Sequence, residues 1–249
     1  MKHRRLVYML FASLLLPFMG CEKEYEDESR ITYFPVFVME GESEIIHSLG
    51  EPYTDGAVTA TEDGSPLDVS IEVVGETTGY KGTTVNVDVF DKYVISYSAT
   101  NKDGFDGVVT RTVYVAPPTG DLITSLEGLY LASVQRTPAF AVLQQYTDMK
   151  YINIWKIDDN KYELTCALGG YYYIGRNYGI DAAFQGAVIT AIDIPSNSFT
   201  ITQAASPGFG NVADITDFKV DAVNKVITFT SNADFANGLF HVQLEQVQY

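Results

Sequence analysis

The chain has 249 residues, room for one large or two modest domains, and a formal net charge of −16. Residues 1–20 carry Lys2, Arg4 and Arg5 and no acid, so the remainder holds 13 basic against 32 acidic side chains, a net charge of −19. Such a surface repels nucleic acid and anionic lipid headgroups, and 17 Tyr and 14 Phe, with frequent Val, Ile and Thr, favour strands over helices.

Lys2, His3, Arg4 and Arg5 precede an uncharged apolar run from Leu6 to Met19. The run is short for a permanent span and suits a secretory signal over residues 1–20. It ends at Phe18-Met19-Gly20-Cys21, and a small residue directly before Cys at that place resembles the lipobox of bacterial lipoproteins. The resemblance implies cleavage after Gly20 and lipid on Cys21. Residues 21–30 are rich in charge, with Glu22, Glu24, Glu26, Asp27 and Glu28, and read as a tether that cannot bury enough apolar surface to order itself. An acidic run after the lipid Cys also resembles the signal that takes Bacteroidetes lipoproteins to the outer face of the outer membrane. The implied location is the outer membrane, lipid-anchored and exposed on the cell surface, held by acyl chains and not by a basic patch. With Cys21 lipidated, Cys166 has no intrachain disulfide partner, and stability rests on packed β cores.

Residues 31–116 read as a first domain of short strands. Ile31 to Met39 begins as a strand, with Pro35 marking an edge or a bulge. Asp63-Gly64-Ser65-Pro66 is a turn. Val69, Ile71 and Val73 share one side of the next strand, and Tyr93, Ile95 and Tyr97 one side of another. Asn101-Lys102-Asp103-Gly104 is a turn before a last strand in which Val109, Arg111, Val113 and Val115 alternate. Strands at this spacing predict an antiparallel sandwich. The order of Gly50, Tyr53, Asp55, Gly56 and Ala57, then Tyr93 to Asn101, Gly104 and Arg111 to Val115, resembles the bacterial immunoglobulin-like domains of pesticidal crystal proteins and many surface proteins. That family implies a spacer or adhesion module without catalytic residues. Asn101, Asp103 and Asp106 cluster around glycines as calcium ligands do, but without EF-hand spacing or the terminal bidentate Glu, so a hairpin turn accounts for them and no metal is expected.

Pro117-Pro118-Thr119-Gly120 is a linker, residues 117–120. Residues 121–249 read as a second domain of successive hairpins: Tyr151 to Ile157 with Tyr162 to Leu168, Val188 to Ile194 with Phe199 to Gln203, and Phe218 to Val220 with Val226 to Thr230. Phe240, Val242 and Leu244 mark a closing strand. The expected fold class is all-β: an immunoglobulin-like sandwich followed by a second antiparallel domain, a β-barrel or a β-sandwich. Tyr162, Leu164, Cys166 and Leu168 share a face, which places Cys166 in the core.

Between the first two hairpins stands Gly169-Gly170-Tyr171-Tyr172-Tyr173-Ile174-Gly175-Arg176-Asn177-Tyr178-Gly179. This run resembles a motif of uncharacterised Bacteroidetes lipoproteins that also carry an immunoglobulin-like domain before a C-terminal β domain. Two readings of it stand. In one, Trp155, Tyr172 and Tyr178 stack on sugar rings while Arg176 and Asn177 bind hydroxyls, with Gly208-Phe209-Gly210 as a second lip. In the other, Tyr and Gly build a barrel corner, and Gly208 to Gly210 is merely a turn.

Searches for catalytic patterns find none. His3 falls in the signal, and His47 and His241 lie in ordinary strand patterns. There is no zincin helix, nucleophile elbow or phosphate-binding glycine loop, and no carboxylate pair stands out. The reading is a non-catalytic, cofactor-free surface lipoprotein that binds a polysaccharide or an outer-membrane protein, similar to accessory lipoproteins of Bacteroidetes glycan-uptake systems. A structural or adhesive protein is the alternative, and a hydrolase ranks behind both.

Overall fold

The computed structural model describes residues 31–249; the signal, Cys21 and the tether lie outside the described residues. Residues 36–116 form β1 (Val36–Met39), β2 (Glu44–Ser48), β3 (Val58–Glu62), β4 (Ser65–Leu67), β5 (Ser70–Gly75), β6 (Lys81–Gly82), β7 (Asp91–Thr100) and β8 (Asp106–Ala116). They make two sheets, ordered β1-β3-β4 and β2-β8-β7-β5-β6. Period-two alternation turns Val73, Tyr93, Ile95, Tyr97, Val113 and Val115 inward, where Phe37, Met39 and Val58 of the smaller sheet pack on them. This is the expected immunoglobulin-like sandwich. One pairing departs from an all-antiparallel plan, because β2 runs parallel to β8. Most of the domain's chain separates those two strands, so no hairpin constrains their direction.

Arg111 follows the alternation of its valine neighbours and is only 1% exposed. A charge so placed needs a partner. Asp55 supplies it in an ion pair, and the Glu40 and Glu42 carbonyls accept from the same guanidinium. The Tyr53 and Tyr97 hydroxyls donate to Asp55. A Cβ on Gly56 would collide with the Glu40 carbonyl, so glycine is required where the loop crosses this hub. The spaced Tyr53, Asp55, Gly56 and Arg111 of the sequence motif therefore tie the loop before β3 to the face of β8. Burial, with Asp55 adding to it, pushes the Tyr53 phenol up to about 12.

Residues 128–246 form β9 (Gly128–Arg136), β10 (Met149–Asp158), β11 (Lys161–Leu164), β12 (Val188–Asp193), β13 (Ser198–Ile201), β14 (Ala204–Ala205), β15 (Val212–Asp221), β16 (Val226–Ala233) and β17 (Leu239–Gln246). All nine join one antiparallel sheet in the order β13-β12-β11-β10-β9-β17-β16-β15-β14. The sheet curls into a half-barrel. Its far strands approach through Phe199 and Phe218, whose rings lie 4.9 Å apart, and through Asn197, which accepts from the Val220 N–H at 2.6 Å. The expected second antiparallel β domain is thus a half-barrel, in which one curled sheet encloses the core. Cys166 is buried in that core as a free thiol.

The expected strand from Tyr162 to Leu168 stops at Leu164. Cys166, Ala167 and Leu168 remain buried but leave the ladder, and Ala167 N–H bonds the Phe184 carbonyl at 2.7 Å. Burial here is continuous from Leu164 to Gly170, as a core-lining turn requires.

The two domains touch. Trp155 packs on Phe90 with ring centroids 4.8 Å apart, and Tyr151 meets Tyr114 edge-on at 4.7 Å. Tyr173 donates to Glu76 at 2.6 Å, Lys150 pairs with Glu44 at 2.5 Å, and the Tyr249 hydroxyl donates to the Pro117 carbonyl. Among the described residues no helix is long and apolar enough to cross a membrane.

Candidate functional site

The Tyr-rich run lies at one end of the half-barrel. Its path is set by Gly169 and Gly170, with φ of 59° and 81°. Two successive left-handed residues are accessible to glycine at little cost. A Cβ on Gly169 would also meet Val242 and Val134 at 2.7 and 2.8 Å. The turn throws Tyr171–Gly175 into a π-helical turn, closed by the Gly175 N–H on the Gly170 carbonyl at 3.0 Å. Consecutive side chains therefore point in different directions. Tyr171 and Tyr173 are buried, and Tyr173 reaches the first domain. Tyr172 is half-buried, while Arg176, Asn177 and Tyr178 are exposed. The Tyr178 N–H returns to the Tyr172 carbonyl at 3.1 Å and holds the two rings together.

Tyr172 and Tyr178 lie nearly parallel, 19° apart, with centroids separated by 6.1 Å. Phe209 stands edge-on to both, at 5.1 and 6.4 Å. The Gly208 N–H on the Asp181 carbonyl at 2.7 Å holds that loop in place. Tyr178 is 56% exposed and Phe209 42%, so the outer surface of this aromatic ledge is open to solvent. Behind it Tyr172 rests on Phe235 and Phe240 of the core.

Two guanidiniums flank the ledge. Arg176 lies 5.4 and 5.5 Å from the ring centres of Tyr171 and Tyr172, and its Nε donates to the Tyr146 hydroxyl at 3.2 Å. Arg136, at the end of β9, lies 5.5 and 5.6 Å from the same two rings and donates to the Asn237 carbonyl at 2.8 Å. Tyr146 stacks on Tyr171 with centroids 4.0 Å apart. Burial alone would push the Tyr171 phenol up. The Tyr146 hydroxyl and the guanidiniums of Arg136 and Arg176 outweigh it, and the phenol sits below its usual value.

Of the five residues expected to bind ligand, Tyr172, Arg176, Asn177 and Tyr178 come together. Trp155 does not join them, because β10 turns its ring against Phe90 at the domain seam. Phe209 lies against Tyr172 and Tyr178 as well. Arg136 and Tyr146 escaped sequence reasoning. They lie 40 and 30 residues before Arg176, and nothing local marks either one.

The Asn101 cluster is a capped turn. Asn101 Oδ1 accepts from the Asp103 and Phe105 N–H groups at 3.1 and 2.7 Å, and Asp106 accepts from Thr100. Among the described residues no group of three or more His, Cys, Asp or Glu is placed to hold a metal.

Residues 37–115 match a family model described as a bacterial surface protein, Ig-like domain. Residues 119–246, just over half of the chain, match a model described as a "-like, C-terminal domain". The chain belongs to this family. The family's C-terminal domain is thus the half-barrel that carries the ledge. Among solved structures the chain is similar to the lipoprotein BT2262 from Bacteroides thetaiotaomicron, with 25% identity, a TM-score of 0.58, and coverage of 86% of this chain and 100% of that one. A Bacteroides ovatus protein of unknown function aligns over 86% of this chain and 93% of its own at 10% identity, with a TM-score of 0.26. No curated protein matches. The likeness to BT2262 points to a membrane-anchored lipoprotein of an uncharacterised Bacteroidetes family, in keeping with the Gly20-Cys21 junction. None of the matched descriptions names a catalytic family.

Proposed function

We propose that this lipoprotein is a non-catalytic, surface-exposed glycan-binding accessory protein of the outer membrane, serving a polysaccharide-uptake system. The observation that carries the reading is the open aromatic ledge of Tyr172, Tyr178 and Phe209 beside Arg176 and Asn177. Sugar rings present C–H faces that stack on such surfaces, and the guanidinium and amide supply donors for hydroxyls. The immunoglobulin-like domain acts as a stand that carries the half-barrel above the tether. The packed seam supports this role, since a ligand pulled from outside loads one body.

The test is a glycan panel bound to the full-length lipoprotein and to its Tyr178→Ala and Phe209→Ala variants. Both side chains are largely exposed, so the variants keep the wild-type melting temperature. Glycan binding that falls at least about tenfold in each variant, about 1.4 kcal/mol, supports the ledge. Binding unaffected by both removes it.

A protein partner is the second reading, and one patch favours it. Ile31, Phe34, Val36, Val38, Phe105 and Val108 are exposed on the first domain, and β1 is a sheet edge. Co-purification of an outer-membrane protein that is lost with Val36→Lys and Val38→Lys would shift the weight to that reading.

A further inference from the structure

The ledge adjoins a cleft of about 300 Å³, walled by Arg136, Thr137, Leu143, Tyr146, Tyr171 and Asn237. The chain carries 32 acidic against 16 basic side chains, yet no carboxylate lines this cleft. Neither Arg136 nor Arg176 forms an ion pair among the described residues. Instead both guanidiniums lie against the same two rings, Tyr171 and Tyr172. Two like charges against the same two rings, with no carboxylate paired to either among the described residues, leave a local positive field in a protein of opposite net charge. The ring faces offset part of that repulsion. Arg136 donates to the Asn237 and Ala236 carbonyls at 2.8 and 3.4 Å, and Arg176 to the Tyr146 hydroxyl at 3.2 Å. The remaining N–H groups keep capacity for a planar anionic acceptor, the geometry that arginine fits best.

We infer that the cleft with its Arg136, together with Arg176 on the adjoining rings, recognises an acidic sugar, one bearing a carboxylate or a sulfate, next to the ring-stacking ledge. This rests on the glycan reading and gives its ligand class. A hexose ring would lie on Tyr172 and Tyr178 while the anionic group of the same or the next residue meets Arg176 and Arg136. A strongly acidic protein gains selectivity from such an arrangement. Its surface repels polyanions in general, so only one presented to this pair is held.

The experiment measures affinities of the full-length lipoprotein for four probes: an oligogalacturonate, its methyl ester, a sulfated oligosaccharide and its desulfated form. Each is repeated with Arg176→Gln, with Arg136→Gln and with Tyr178→Ala. At least one anionic probe binds at least about tenfold more tightly than its neutral counterpart, the preference weakens as salt is raised, and Arg176→Gln removes it. The carboxylate and sulfate arms tell the two sources apart. Arg176 is exposed, so its variant stays folded even if Arg136→Gln does not. Equal affinity for charged and neutral forms, or a preference that survives Arg176→Gln, overturns the inference. If binding is then still lost in Tyr178→Ala, the ledge reading stands alone. Anionic preference that is lost in Arg176→Gln but kept in Tyr178→Ala upholds the inference and removes the ledge. No binding to any of the four overturns it as well.

Discussion

Replacing Asp55 by Ala tests the account of the first domain most sharply. Arg111 is 1% exposed and would lose its ion-pair partner among the described residues, although the Glu40 and Glu42 carbonyls would still accept from it. Tyr53 and Tyr97 would lose their shared acceptor. Stranding a buried partner of this kind costs about 3–5 kcal/mol, a large share of the ~5–15 kcal/mol that holds a typical domain. With a urea slope of about 2 kcal/mol per molar, the midpoint of the first domain falls by roughly 1.5–2.5 M. The single tryptophan, Trp155, packs on Phe90 across the seam and reports the change by fluorescence when the first domain opens. The double variant Asp55→Ala, Arg111→Met removes both charges and recovers most of the loss. A single variant within about 1 kcal/mol of wild type, or a double variant no better than the single, would refute the reasoning.

Gly169→Ala forces a Cβ between Val134 and Val242 at a φ of 59°. It should destabilise the half-barrel by at least about 2 kcal/mol in thermal unfolding, while Gly210→Ala, at a φ of 68° where a Cβ meets nothing, suffers only the backbone penalty of about 1–2 kcal/mol. Phe90→Ala should lower the cooperativity between the domains, splitting one calorimetric transition into two, with little change in the half-barrel's own midpoint. Tyr53 and Tyr93 each ionise at about 12 because burial raises them. A phenol raised in the folded state stabilises fully below its unfolded value of about 10 and loses that contribution as pH rises through the folded value. Stability should therefore fall between about pH 10 and 12, followed by urea midpoints, and Tyr53→Phe should blunt the slope. In the same titration, tyrosinate absorbance should show one phenol ionising early. That phenol is Tyr171, and Arg176→Gln should delay it.

The immunoglobulin-like plan was legible because short-range chemistry encodes it. Alternating Tyr93, Ile95 and Tyr97, and the Asp63-Gly64 and Asn101 to Gly104 turns, need only neighbouring residues to declare a face or a reversal. Arg111 broke the apolar pattern in full view, yet its burial became intelligible only with Asp55, 56 residues away, opposite it. The Tyr-rich run likewise advertised an unusual turn through its glycines. Which of its tyrosines face solvent did not follow from spacing, because a π-helical turn has neither the period of a strand nor that of a helix. Tertiary structure alone decided that β2 lies parallel to β8, that one sheet curls where two were equally admissible, and that Trp155 belongs to a seam. It alone brought Arg136 and Tyr146 to the Tyr171 ring that Arg176 also faces. These outcomes depend on contacts between residues far apart in the chain. The free energy of such contacts comes from the surface they bury together, and no single segment carries that information.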